Sequence, residues 1–392
     1  MKKHLLLLIL IFIFPINALS FDFDLYSNNA LLYHLDENKI IYEKNINENI
    51  KIASLTKVMT TIVALEHIEN LKETLIVEGN ILKTINKSAA LAGFRNNEII
   101  TYEDLLYGSM LPSGADATTL LAYNLFGSEK EFVNKMNDLA KNLNLENTYF
   151  TNASGLNDNK QENTLSDYLK IMLYALQNED LKTIFFTKEY ETTNKRLLFK
   201  SNLLYFSEKY NLDTSIIKGA KTGYTNEAGL CIVSIAKHND GSFLLITTGA
   251  PTKNLYPYHI IDSLNIYNYY FNNYSNFNIL KQNQIITKLP TSFSKEKDIN
   301  LIYKDQDLTL YLPNKNNISY EYNLPKKINF NQNILNPAGT INIYLDDSLI
   351  YTKNLYIENK LTFSFIEVIK NYWFIFLIVP FIIIRKRKNK II

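Results

Sequence analysis

Apolar and polar residues alternate along "NNALLYHLDENKIIYEKNINENIKIA", residues 28–53, in two runs separated by Asp36, Glu37 and Asn38. A period of two on either side of a polar turn predicts a β-hairpin. The period then changes. From Ser54 to about Glu69, Leu55, Val58, Met59, Ile62, Val63, Leu65 and Ile68 cover most of a helical surface, which predicts a helix buried on nearly all sides. Two later helices are announced by their caps: Thr101 with Asp104 opens one, and Ser128 with Glu131 opens another that ends near Asn142. Between those caps the run "LPSGAD", residues 111–116, breaks the pattern at Pro112 and Gly114 and reads as a loop. "GAKTGYTNEAGLCIVSIAKHNDGSFLLITTGA" then supplies two apolar strands joined by an Asn239-Asp240-Gly241 turn. Strands, then helices, then strands imply an antiparallel sheet shared by early and late parts of the chain and flanked by helices, an α+β fold.

After about Tyr274 the texture changes to short alternating segments such as "LTLYLP", "ISYEYNL" and "TINIYLDDSLIYTKNLYI". These predict a small, separate all-β domain over residues 274–358, with no cluster of acids, histidines or glycines that suggests chemistry. Both ends of the chain differ from what lies between them. Residues 1–20 have Lys2 and Lys3, an apolar core over residues 5–14, and Ala18 and Ser20 at the end, which reads as a secretory signal peptide cleaved before Phe21. At the other end, residues 372–384 are densely apolar and are followed by Arg385, Lys386, Arg387 and Lys388. Extended back to Leu361, this run reaches the roughly 20 residues that a spanning helix needs. Residues 359–392 are therefore expected to form a membrane anchor, spanning as the first reading and interfacial as the second, with a basic cytoplasmic tail. The working part, residues 21–273, is then exported and tethered outside the cytoplasm.

At 392 residues and 46% hydrophobic, the chain can bury a large core. Its 41 Lys+Arg against 39 Asp+Glu leave a net charge of +2, too balanced for a nucleic-acid binder. Cys231 is the single cysteine, so no intramolecular disulfide can form, and its apolar strand context makes it a small core residue. The five histidines occupy unrelated contexts and no pair has metal-ligand spacing, so neither a metal site nor a Ser-His-Asp set is expected, and no cofactor.

Chemistry enters at Ser54 and Lys57. Residues three apart on a helix share a face, so the lysine amine can reach the serine hydroxyl one turn back. The amide at the helix start is unpaired and lies at the positive end of the dipole, where it can hold a developing oxyanion. A serine needs a base to become a nucleophile, and a lysine is that base only if burial and a nearby cation depress its pKa. The spacing alone is weak, for it recurs at Ser215/Lys218, Ser234/Lys237 and Ser294/Lys297. Ser54 has company, however. Lys221, Thr222 and Gly223 offer a second cation at a strand edge, where the missing Gly223 side chain would let a substrate backbone lie close. Ser113, on the loop, is either a second catalytic hydroxyl or a helix N-cap.

In that order these motifs resemble the low-molecular-mass penicillin-binding proteins of the serine D-alanyl-D-alanine carboxypeptidase type. The resemblance covers nearly the whole chain: the signal peptide, "ASLTKVMT", "LPSGADAT", "NASGLND" at residues 152–158, "GAKTGYTNEAG", the C-terminal β domain and the anchoring tail. It implies a serine β-lactamase-like fold, with Ser54 as the acylated nucleophile, Lys57 as its base and Ser113 as the proton relay to the departing D-alanine. Lys221 with Thr222 would hold the substrate carboxylate beside Gly223, and the amides of Ser54 and Tyr224 would form the oxyanion hole. The implied substrate is the peptidoglycan stem pentapeptide, with β-lactams as inhibitors. One position departs from the pattern. The middle motif is usually Ser-x-Asn, whereas Ala115 stands third here, and Asp116 either compensates or simply begins the next helix. Losing one polar contact costs about 1–3 kcal/mol, which predicts an active but slower enzyme. Two rivals remain: a β-lactamase of related fold, for which Glu162 would have to activate water, and a non-catalytic wall-binding homologue.

Overall fold

The alternation at the start of the chain becomes a hairpin of β1 (Asn29–His34) and β2 (Lys39–Lys44) in the computed structural model, which describes residues 24–373. The hairpin joins β3 (Ile217–Thr225), β4 (Gly229–His238) and β5 (Gly241–Ala250) in a five-stranded antiparallel sheet of order β2-β1-β5-β4-β3. Early and late parts of the chain thus share one sheet. Leu31, Tyr33, Val233, Ile235, Leu244 and Ile246 pack into the main core on one face. Their neighbours Leu32, Ile232, Phe243 and Leu245 are equally buried on the other, which is why these strands read as continuous apolar runs.

The helices of eight or more residues before residue 274 are α1 (Thr56–His67), α2 (Tyr102–Met110), α3 (Ala115–Phe126), α4 (Glu129–Asn142), α5 (Leu165–Ala175), α6 (Glu179–Phe186), α7 (Asn202–Tyr210) and α8 (Tyr258–Asn273). Each of α2 to α6 touches α1, which explains its apolar circumference. Residues 56–64 are all buried, and only the last turn surfaces, carrying His67 into solvent. Both expected caps form: the Thr101 hydroxyl accepts from the Asp104 amide while the Asp104 carboxylate accepts from the Thr101 amide, and the Ser128 hydroxyl accepts from the Glu131 amide. On the far face, Tyr267 of α8 donates from its hydroxyl to the Ser234 carbonyl of β4 at 2.9 Å.

From residue 273 the chain forms a second unit with its own core, built on Leu301, Ile343, Leu355 and Ile357. Its sheet includes Asp298–Ile302, Gly339–Leu345 and Ser348–Ile357, and Tyr274–Leu280 pairs separately with Leu308–Pro313. This is a C-terminal β domain. The expected signal peptide, residues 1–20, lies outside the described residues, as does residue 374 onward, including the basic cluster at 385–388. Among the described residues, no helix is long and apolar enough to cross a membrane.

Candidate active site

The segment before α1 departs from a simple helix start. Ser54 sits in a one-turn 3-10 helix, Ala53–Leu55, and regular α-helix begins at Thr56. Ala53 is held at φ +47°, a left-handed backbone that costs a non-glycine residue about 1 kcal/mol or more. Gly155, at φ +82°, lies against the Ala53 carbonyl, and any side chain there would overlap that oxygen. Gly155→Ala is expected to destabilise the fold by about 3 kcal/mol or more, read as a lowered thermal midpoint; an unchanged midpoint would mean that the 152–156 turn does not brace the serine.

Within this frame Lys57 Nζ donates to Ser54 Oγ at 3.1 Å and to the Ser154 carbonyl at 2.6 Å. Burial pushes the Lys57 ammonium down to about 7, against the opposing pull of Asp116. A lysine near neutrality at working pH can accept a serine proton. The other three Ser-x-x-Lys pairs do not reproduce this arrangement. Ser234 and Lys237 lie on β4, where residues three apart face opposite ways; Lys218 donates to the Ser215 carbonyl, not its hydroxyl; and Ser294 donates to Glu296.

The second cation and second hydroxyl meet in the same way. Lys221 is 1% exposed, and its Nζ donates to Ser113 Oγ and to the Thr222 carbonyl, both at 2.8 Å. Burial first, and then the neighbouring Lys57, hold Lys221 well below the ordinary lysine range. Ser113 is not the N-cap of α3, because that place is taken by Gly114; instead Ser113 adopts φ +67° and turns its hydroxyl to Lys221. Lys221, Thr222, Gly223 and Tyr224 all lie on β3, an edge strand whose one sheet partner is β4. The glycine also has a reason within the protein itself. A Cβ at Gly223 would stand 3.0 Å from the Ser54 amide nitrogen and 3.1 Å from the Ala53 Cβ, so its absence admits the serine turn against the strand. Tyr224 is half exposed, its hydroxyl donating to Asn226 at 2.5 Å.

Ser54, Lys57, Ser113, Thr222, Gly223 and Tyr224 line one cleft of about 270 Å³ together with residues 88–90, Ala115 and His259, and Lys221 joins it through its bond to Ser113. Sequence reasoning missed the cleft's organisers. The Asn152 side-chain oxygen Oδ1 accepts from the amides of Ser154, Gly155 and Leu156 at 3.2, 2.7 and 3.1 Å, which shapes the turn that offers the Ser154 carbonyl to Lys57. The run Asn-Ala-Ser-Gly at residues 152–155 is a recognisable turn signal, but nothing local says what the turn faces. Glu162 is exposed and absent from the cleft, and no Asp or Glu lines it among the described residues. Burial pushes Cys231 up to about 12 and His259 down to about 3, so neither is an ionised group at neutral pH. Among the described residues no cluster of His, Cys, Asp and Glu has the makings of a metal site.

Comparison with known proteins gives the following matches. A profile described as D-alanyl-D-alanine carboxypeptidase matches residues 17–252, and one described as the C-terminal domain of penicillin-binding protein 5 matches residues 274–362. The D-alanyl-D-alanine carboxypeptidase DacF of Bacillus subtilis is 30% identical over 279 residues, covering 70% of each chain. The D-alanyl-D-alanine carboxypeptidase DacA of Haemophilus influenzae is 25% identical over 350 residues, covering 85% of this chain and 82% of that one. Penicillin-binding protein 5 from Haemophilus influenzae superposes with a TM-score of 0.64 at 21% identity, over 88% of this chain and 99% of that one, a likeness of fold.

Proposed function

Because the chain belongs to the D-alanyl-D-alanine carboxypeptidase family, we propose that Ser54, Lys57, Ser113 and Lys221 are the working groups of a serine acyl transfer to water. The protein is a serine-type D-alanyl-D-alanine carboxypeptidase, a hydrolase of the penicillin-binding class. The observation that carries the assignment of roles is the pairing of each serine with its own lysine, Ser54 with Lys57 at 3.1 Å and Ser113 with the buried Lys221 at 2.8 Å, both serines lining one cleft.

In this reading Lys57 takes the Ser54 proton as Oγ attacks the carbonyl carbon of the terminal peptide bond of a D-Ala-D-Ala stem peptide. The amides of Ser54 and Tyr224 receive the oxyanion. The proton passes through Ser113 to the departing amine, the C–N bond breaks, and D-alanine leaves. Lys221 and Thr222 hold the substrate carboxylate, and that anion restores to Lys221 the charge that burial disfavours. Water then hydrolyses the Ser54 ester, with Lys57 again as base. A β-lactam follows the same first half, but its opened ring stays attached and blocks water. With no carboxylate lining the cleft to activate that water, the adduct is expected to persist, which weighs against the β-lactamase reading.

The reading places catalysis in residues 21–273, a spacer or docking role in residues 274–358, and the anchor in residues 359–392, with export by residues 1–20. The deciding experiment is mass spectrometry of the protein after benzylpenicillin, beside an assay of D-alanine release from a stem pentapeptide. A stable adduct on the Ser54 peptide with D-alanine release supports the assignment. Fast clearance of penicillin with an intact pentapeptide favours the β-lactamase, and no adduct with no release favours the non-catalytic homologue.

A further inference from the structure

Asp116 does begin a helix, as its position after the loop suggests, but most of the amides its carboxylate binds lie outside that helix. It is 2% exposed, and its carboxylate accepts from the Ala92 amide at 2.7 Å, the Gly93 amide at 2.7 Å and the Phe94 amide at 3.1 Å, as well as from the Ala117 amide of α3 at 3.0 Å. Three converging amides are an unusual provision for a stretch with no helix or strand of its own. Next to it the Ala115 amide donates to the Ala90 carbonyl at 2.7 Å, and a Cβ at Gly114 would sit 2.6 Å from both the Ala92 Cβ and the Asp116 carboxylate. The loop that carries Ser113 and the segment ending at Phe94 are therefore closed against each other with no spare volume. The tied segment follows residues 88–90, which line the cleft.

The Ala115 side chain faces the same cleft and is a methyl group, with nothing to offer a substrate amide or the Lys57 ammonium. We propose that Asp116 is the positioning residue of this site: its buried carboxylate holds residues 92–94 against the start of α3, fixes residues 88–90 as the cleft wall, and supplies the counter-charge beside Lys57. The inference rests on Lys57 acting as the base. The charged groups near Lys57 are Asp116 from α3 and Lys221 from β3; His259 of α8, Tyr205 of α7 and Tyr224 of β3 line the same cleft. Of these, Asp116 is the anion. It stabilises the protonated lysine, so removing its charge favours the neutral base and shifts the acid limb of acylation to lower pH.

Two measurements on the full chain test this. In the native protein, hydrogen exchange at the amides of Ala92, Gly93 and Phe94 is expected to be slow, as for core amides, while exposed Leu91 exchanges fast. In Asp116→Asn, which keeps the shape and removes the charge, acylation by fluorescent penicillin is expected to shift its acid limb downward in pH. KM for a D-Ala-D-Ala peptide should rise about tenfold or more as the wall loosens. Fast exchange at residues 92–94 in the native protein overturns the proposal, and so does a folded Asp116→Asn with an unmoved limb and unchanged KM. If that variant fails to fold, native exchange decides. A penicillin adduct found elsewhere than on Ser54 would sink the catalytic reading while leaving the exchange result standing, so the two failures are distinguishable.

Discussion

Ser54→Ala is expected to abolish covalent labelling by penicillin and to lower D-alanine release by about 10⁴-fold or more, the scale seen when a hydrolase loses its nucleophile. The oxygen removed is the one that Lys57 Nζ approaches at 3.1 Å. Its removal leaves Lys57 bonded to the Ser154 carbonyl at 2.6 Å, so the cleft should keep its shape and the variant its thermal stability. Serine and lysine act as one unit, so the Ser54→Ala/Lys57→Ala double variant should be no worse than either single one. Intact-mass spectrometry and a D-alanine assay read both effects. A variant that still takes up penicillin stoichiometrically would move the nucleophile elsewhere, Ser113 being the nearest alternative.

Lys57→Arg should cost nearly as much, for a reason that pH exposes. A base must be neutral to accept a proton, and Lys57 is held at about 7 by burial. Below that value the protonated form dominates, and native acylation should fall about tenfold per pH unit; above it the rate should level off. A guanidinium stays cationic throughout this range, so Lys57→Arg is expected to lose about 10³-fold or more at every pH and to show no limb. Lys57→Met, which keeps the length without the base, should match it and guards against a loss due only to the larger buried group. Acylation followed by fluorescent penicillin from pH 5 to 9 makes the comparison. A native profile that stays flat across this range, or an arginine variant with more than a tenth of native activity, would remove Lys57 from the role.

Much of the molecule was legible from spacing. A period of two in residues 28–53, a helical period from Leu55, a turn at Asn239-Asp240-Gly241 and the caps at Thr101 and Ser128 each name an element through interactions within a few residues. Ser54 and Lys57 belong to the same class, since one helical turn suffices to bring them together. A second reason for Gly223 was out of reach of the sequence, because its neighbour, the Ser54 turn, lies far away along the chain. Ser113 read equally as a cap and as a second hydroxyl, because the left-handed backbone that turns it to Lys221 has no sequence signal.

Asp116 shows the limit most clearly. Its identity and its place in the first turn of a helix are local facts, while the amides it holds belong to residues 22 to 24 positions earlier. The chain by itself determined its periodicities, its caps and the presence of two lysines and two serines suited to acyl transfer. Tertiary packing alone decided that Lys221 meets Ser113 across 108 residues, and that both ammonium groups lose enough water for their pKa values to fall below the ordinary lysine range. The reason is one of range: hydrogen-bonded turns and side-chain periods act over three or four residues, whereas desolvation depends on every segment that closes over a group.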